Sequence, residues 1–213
     1  SIRYSSKSLR KMKVYKDQEV YEENSCAIAM DKKGKYLFIG SYSVPKLSKE
    51  TLKIYSVKSG KLLKRMVFDT KSISSSVVEN WKDKIIFGGG NMSLYIIDAC
   101  TFEIVTKYDL TIESGIRRLD VHEETDTAFF GTENGNFCKI NLITGEVHEN
   151  KLTNTTITNS VFSEQFIFAG SFDGHFYKLT SDLQLVAKKK ISISRIWDAK
   201  FDNNTKLIYF SCE

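Results

Sequence analysis

Tyr36-Leu37-Phe38-Ile39-Gly40-Ser41 decides how this chain is read, because the phrase returns down the sequence in altered form. It reappears as Ile85-Ile86-Phe87-Gly88-Gly89, as Ala128-Phe129-Phe130-Gly131-Thr132 and as Phe166-Ile167-Phe168-Ala169-Gly170-Ser171. A last copy, Leu207-Ile208-Tyr209-Phe210-Ser211, lies close to the C-terminus. The glycines Gly40, Gly88, Gly131 and Gly170 are 48, 43 and 39 residues apart. Apolar residues at helical spacing are absent, and short apolar runs at a period of about 40 are the pattern of repeated β-units.

Residues 116–155 show one unit most clearly. Ile116-Arg117-Arg118-Leu119-Asp120-Val121 alternates as a half-buried strand does, and Glu123–Asp126 is a polar turn into the second strand. Asn134-Gly135 is a hairpin signal, because both residues tolerate positive φ. Phe137–Leu142 is the third strand, Thr144-Gly145 a further turn, and Glu146–Leu152 a more polar fourth strand. Four strands in about 40 residues make one blade of a β-propeller, so the expected fold is all-β with four-stranded antiparallel blades. Complete blades are expected at 25–71, 72–113, 114–155 and 156–192. Residues 193–213 read as strands one and two of a further blade. Residues 1–24 read as strands three and four, since Leu9–Val14 matches Leu63–Phe68 and Arg3–Ser8 matches Ile54–Ser59. The two halves complete a split blade and about five blade-equivalents. The competing reading is a slice of a larger propeller, and an unrelated β-sandwich is the plainer alternative.

The chain has 213 residues, enough for a single large all-β domain. A net charge of +5 permits weak attraction to anionic partners and does not call for nucleic acid. Cys26, Cys100, Cys138 and Cys212 contain no CxxC pair and fall in different blades, which points to reduced thiols inside the cell, in the cytoplasm, without zinc. No 18-residue apolar run is present, so no transmembrane helix is expected. The chain begins at Ser1 rather than a methionine, which leaves a removed leader open.

Ala29–Leu37 resembles the start of a WD repeat, and Phe168–Tyr177 resembles a repeat of WD or quinoprotein-like propellers. The resemblance extends over essentially the whole chain but through degenerate motifs. No repeat carries Gly-His before its first strand or Trp-Asp after its third, and Trp197-Asp198 lies in a first strand. No tryptophan follows a third-strand turn, which speaks against a bound quinone. The resemblance implies a rigid, non-catalytic interaction platform without a cofactor, although fold alone does not establish function.

Candidate contacts follow from aligning the first strands. Ile73, Ile116, Ile157 and Ile196 form one column, and Val78, Val121, Phe162 and Phe201 form a core column five residues on. The residues after the isoleucines, Ser74, Arg117, Thr158 and Trp197, with Cys26 as the fifth member, are expected to ring the channel mouth. Arg117 and Trp197 are the types favoured at binding hot spots, and Arg118 and Arg195 beside them suggest a small basic rim for an acidic peptide or a phosphate. The first full blade also carries a six-residue insertion with the single proline, so Pro45 and Lys46 join the candidate surface. The lysine runs Arg10–Lys13 and Lys188–Lys190 fall on outer strands, where lysine blocks edge pairing. His122, His148 and His175 occupy three different blade positions, and no catalytic triad emerges. The expected activity is binding of a protein or peptide. The alternatives are a quinoprotein-like or hydrolytic enzyme with a small-molecule site at the mouth, and a reader of anions or lipid headgroups.

Overall fold

A computed structural model describes residues 25–41, 49–70, 75–163 and 165–213. Within them the chain is all-β: four four-stranded antiparallel sheets and one two-stranded sheet, set as the blades of a propeller. The first blade is β1 (Ser25–Met30), β2 (Tyr36–Ser41), β3 (Lys49–Ser56) and β4 (Leu62–Asp69). The second is β5 (Val77–Trp81), β6 (Lys84–Gly88), β7 (Ser93–Asp98) and β8 (Ile104–Asp109). The third is β9 (Ile116–His122), β10 (Thr127–Thr132), β11 (Asn136–Asn141) and β12 (Val147–Lys151). The fourth is β13 (Ile157–Phe162), β14 (Ile167–Ser171), β15 (His175–Leu179) and β16 (Leu185–Lys190), and β17 (Ile196–Asp202) with β18 (Leu207–Cys212) forms the fifth sheet. Each first strand packs on the next in chain order, from β1 to β17. The expected third and fourth strands of the split blade, at 1–24, lie outside the described residues. Among the described residues no helix is long and apolar enough to cross a membrane.

The recurring phrase is apolar at successive positions because a second strand is buried on both faces. Ile85 and Phe87 face the first blade, where they join Phe38, Leu52, Ile54 and Phe68. Ile86 faces the third blade and meets Leu119, Ala128, Phe130 and Ile140. Phe129 turns the other way, into the junction with Ile167, Ala169 and Tyr177 of the fourth blade. Each junction is therefore a separate hydrophobic core. The outer strands need no such burial, and β16 is exposed along its whole length with Lys188–Lys190 at its end.

The glycine one residue before the end of the phrase makes room for the next blade. A Cβ on Gly131 would lie 2.6 Å from both Cγ2 and the carbonyl of Ile157; one on Gly170 would lie 3.0 Å from Ile196 Cγ2; and one on Gly88 would lie 3.1 Å from Ile116 Cδ1. These three isoleucines are fully buried. At the first junction the spacing in the sequence points to Ile73, which lies outside the described residues. Ser76 instead stands 2.8 Å from the place of a Gly40 Cβ. The same shift shows in the core column. Val78 pairs with Phe87, one residue before its glycine, whereas Val121 and Phe162 pair with Ala128 and Ile167, three before theirs. The segment entering β5 runs longer than the alignment allows, so Asn80 rather than Val78 is the counterpart of Val121.

Gly131→Ala is expected to lower stability by about 3 kcal/mol or more, because the clash includes backbone that cannot turn aside. Gly34→Ala, at φ +66° with open space around it, is expected to cost only about 1 kcal/mol. Urea unfolding of the two variants checks the order.

Candidate functional site

The starts of the first strands share one irregularity. The hydrogen-bond register skips one residue at Cys26 in β1, at Arg117 in β9, at Thr158 in β13 and at Trp197 in β17. These are the positions that the alignment of isoleucines singles out. A bulge leaves its extra residue unpaired and re-aims the side chain, here at the start of each strand.

Two of the four bulge residues are small and turn inward as staples. Thr158 Oγ1 lies 2.6 Å from the Ile196 carbonyl of the next sheet and 3.2 Å from that of Gly170. Cys26 Sγ lies 3.7 Å from both the Ser76 and Gly40 carbonyls, so the first blade has the same arrangement as the fourth. Burial raises the Cys26 thiol above its ordinary value.

Arg117 and Trp197 are too large for that role. Arg117 donates to Ser75 Oγ at 2.9 Å and stands 3.8 Å from Glu133. Trp197 is 43% exposed and meets Phe172 edge-on at 5.1 Å. The Arg195 guanidinium sits 4.8 Å from the centre of the Phe172 ring and 5.7 Å from that of Trp197, within cation–π range. Arg195 also lies 3.9 Å from a Glu213 carboxylate oxygen.

Arg118 does not belong to this rim. Arg118 and Asp120 are two residues apart on the regular part of β9, so they share a face and lie 3.7 Å apart. It also reaches Asp198 of β17 at 3.9 Å, an ion pair that bypasses the fourth blade. Ser160 donates to Asp120, whose carboxyl burial holds above the ordinary range, as it does that of Glu79. The expected basic rim is thus largely offset by acids at Arg117, Arg118 and Arg195. Ser74, Pro45 and Lys46 lie outside the described residues.

Glu50 carries no signal in the sequence beyond its place after the insertion. It is fully buried in β3, and its Oε2 accepts from Gly90 N at 3.2 Å and from Ser76 Oγ at 3.3 Å, while Oε1 has no hydrogen-bond partner. The repeat explains the site. After the phrase glycine, Ser41 and Thr132 accept from the third-strand amides of Thr51 at 2.8 Å and Asn136 at 2.9 Å. The second blade has Gly89 there, and the Glu50 carboxylate fills the space that a side chain on Gly89 would take. Burial pushes the Glu50 carboxyl from 4.5 up to about 7, against the bonds from Gly90, Asn91 and Ser76 that favour the ion.

Ser171, Asp173 and His175 come together without forming a nucleophilic triad. The hydroxyl of Ser171 and Nδ1 of His175 both engage the same oxygen of Asp173. The third blade repeats the hairpin with Thr132 and Asn134, and each is braced from the preceding linker, by Thr153 at Asp173 and Ser114 at Asn134. Among the described residues no group of three or more His, Cys, Asp or Glu is placed to hold a metal ion. The sequence matches no protein-family model, and no curated protein matches it.

Glu50 sets a pH dependence with a definite sign. Its folded-state value of about 7 lies above the ordinary 4.5, so the folded chain retains a proton that the unfolded chain has released. Its contribution is fully present below about 4.5 and is lost as pH rises through about 7. Glu50→Gln is expected to remove that part of the pH dependence and to stabilise the chain above neutrality, by on the order of 3 kcal/mol. Unfolding of both chains at a series of pH values checks it; parallel curves would sink the assignment.

Proposed function

We propose that this chain is a non-catalytic scaffold of the WD-repeat kind whose channel mouth binds a segment of another protein. The observation that carries the reading is Trp197, exposed at a strand bulge and framed by Phe172 and Arg195. Burying a tryptophan against a partner removes a large apolar area from water. Tryptophan and arginine together are the residue types that dominate interface energies. The neighbouring positions in the ring, Cys26 and Thr158, spend their side chains on stapling blades, so the exposed character of Trp197 is not a demand of the repeat. An acidic group on the bound segment would compete with Glu133 for Arg117 and with Glu213 for Arg195. The preferred ligand is therefore a peptide with an apolar anchor and a nearby carboxylate. Four free thiols fit a location in the reducing cytoplasm.

Selection from a displayed peptide library gives the test: affinity is read by the anisotropy of a dye-labelled peptide, and tryptophan fluorescence of the natural chain locates the bound peptide. Trp81 is buried at 5% exposure and Trp197 is not, so a binding signal reports on the mouth. Arg117→Ala combined with Trp197→Ala is expected to weaken a selected peptide by roughly 30-fold or more, on the scale of hot-spot losses. Unfolding should shift by no more than about 1 kcal/mol. Equal affinity for the double variant would remove the mouth from the binding surface.

A further inference from the structure

One face of the first blade is open where the later complete blades are covered. Ile28 pairs with Ile39, the residue before Gly40, as Val78 pairs with Phe87 before Gly88 and Leu119 with Phe130 before Gly131. The three positions are therefore equivalent. Val78 is 4% exposed and Leu119 1%, whereas Ile28 is 65% exposed. Ser160 of the fourth blade, paired with Ala169 before Gly170, is buried too. Met30 and Val67 are exposed beside Ile28, and the register sets all three on one face with Leu37 and Ile39.

The covered junctions show what closes such a face. Val78, Ile85 and Phe87 are met by Leu52, Ile54 and Phe68, from the third and fourth strands of the blade before. Leu119 and Phe130 are met by Leu94 and Ile96 of β7 in the same way. Each fourth strand then runs on into the first strand of the next blade. No described strand precedes β1, and the chain ahead of it is residues 1–24. In that segment Leu9–Val14 matches the fourth strand of the first blade, and Leu9, Met12 and Val14 are its apolar members. Asp17, Glu19, Glu22 and Glu23 follow, a strongly acidic stretch. The open face carries the opposite charge, because Lys53 and Arg65 stand in line with Ile39 across β3 and β4. Complementary charge of this kind fixes how two surfaces pair.

We infer that residues 1–24 lie across the open face of the first blade. Leu9, Met12 and Val14 cover Ile28, Met30 and Val67, and the acidic stretch sits beside Lys53 and Arg65. The contact does not depend on what the mouth binds.

A nitroxide on Lys11→Cys tests the placement in the full chain, with Cys26→Thr, Cys100→Ser and Cys212→Ser removing the other exposed thiols. The methyl signals of Ile28 and Ile39 are expected to broaden. Those of Ile104 and Ile143, exposed on the second and third blades, should stay sharp. Ile28→Asp should restore the Ile39 signal and speed tryptic cleavage after Arg10 and Lys13 by about tenfold, since cleavage follows the population of the released segment. Ile28 is exposed, so this variant keeps its fold, which the fluorescence of buried Trp81 checks. Should it not fold, Val67→Asp on the same face is expected to act alike. An unbroadened Ile28 signal, an Ile39 signal that stays broad in the folded variant, or broadening that arises only between separate chains would each overturn the proposal.

Discussion

Blade-to-blade seating in this propeller rests on one steric condition: in the second strand of each complete blade, the position held by Gly40, Gly88, Gly131 or Gly170 must lack a side chain. Ile116, Ile157 and Ile196 begin their strands directly against Gly88, Gly131 and Gly170, so closely that a Cβ would crowd Ile116 and Ile196 and clash outright with Ile157. The contact sets how near one sheet comes to the next, and so lets the flanking Phe, Ile and Leu side chains reach each other across the junction. Where the incoming residue is Ser76, the same condition holds at Gly40 with a smaller partner. A tight approach at the inner end and a wide aromatic core further out fit the fan shape of a twisted sheet stack.

Polar groups at the inner ends of the strands follow from that approach. Crowding there comes with a bulge in four of the described first strands, and each bulge frees one side chain from the ladder. Cys26 and Thr158 use the freedom to bind carbonyls of the adjoining blade, which ties the junctions together. Arg117 uses it to reach Ser75 and Glu133, and Trp197 stays exposed. The starts of the first strands are thus where the repeat gives up regularity without loss to the core.

Much of this was legible beforehand. Successive apolar residues in the phrase mark a strand buried on both faces, and the glycine spacing marks the period. The column of Arg117, Thr158 and Trp197 came from alignment alone. Arg118 stood beside Arg117 in the sequence, but the acids that engage it, Asp120 and Asp198, are brought to it only by the packing of the sheets. The second blade was misread by two residues in its first strand, since only the hydrogen-bond register shows that Val78 pairs with Phe87. Glu50 was invisible, because its place depends on Gly89 of another blade 39 residues later. The only hint was a phrase ending Gly-Gly where the others end Gly-Ser or Gly-Thr.

The sequence by itself determined the class of fold, the repeat and its approximate limits, because hydrophobic periodicity and turn chemistry act over a few residues at a time. Tertiary structure alone decided which charges meet. Arg118 finds Asp198, 80 residues away, and Asp120 receives Ser160 from the next blade. It also decided that one junction is sealed by Trp81 while the next keeps a cavity. These outcomes depend on how closely neighbouring sheets approach and in which register, and that distance is set by packing between segments far apart in the chain.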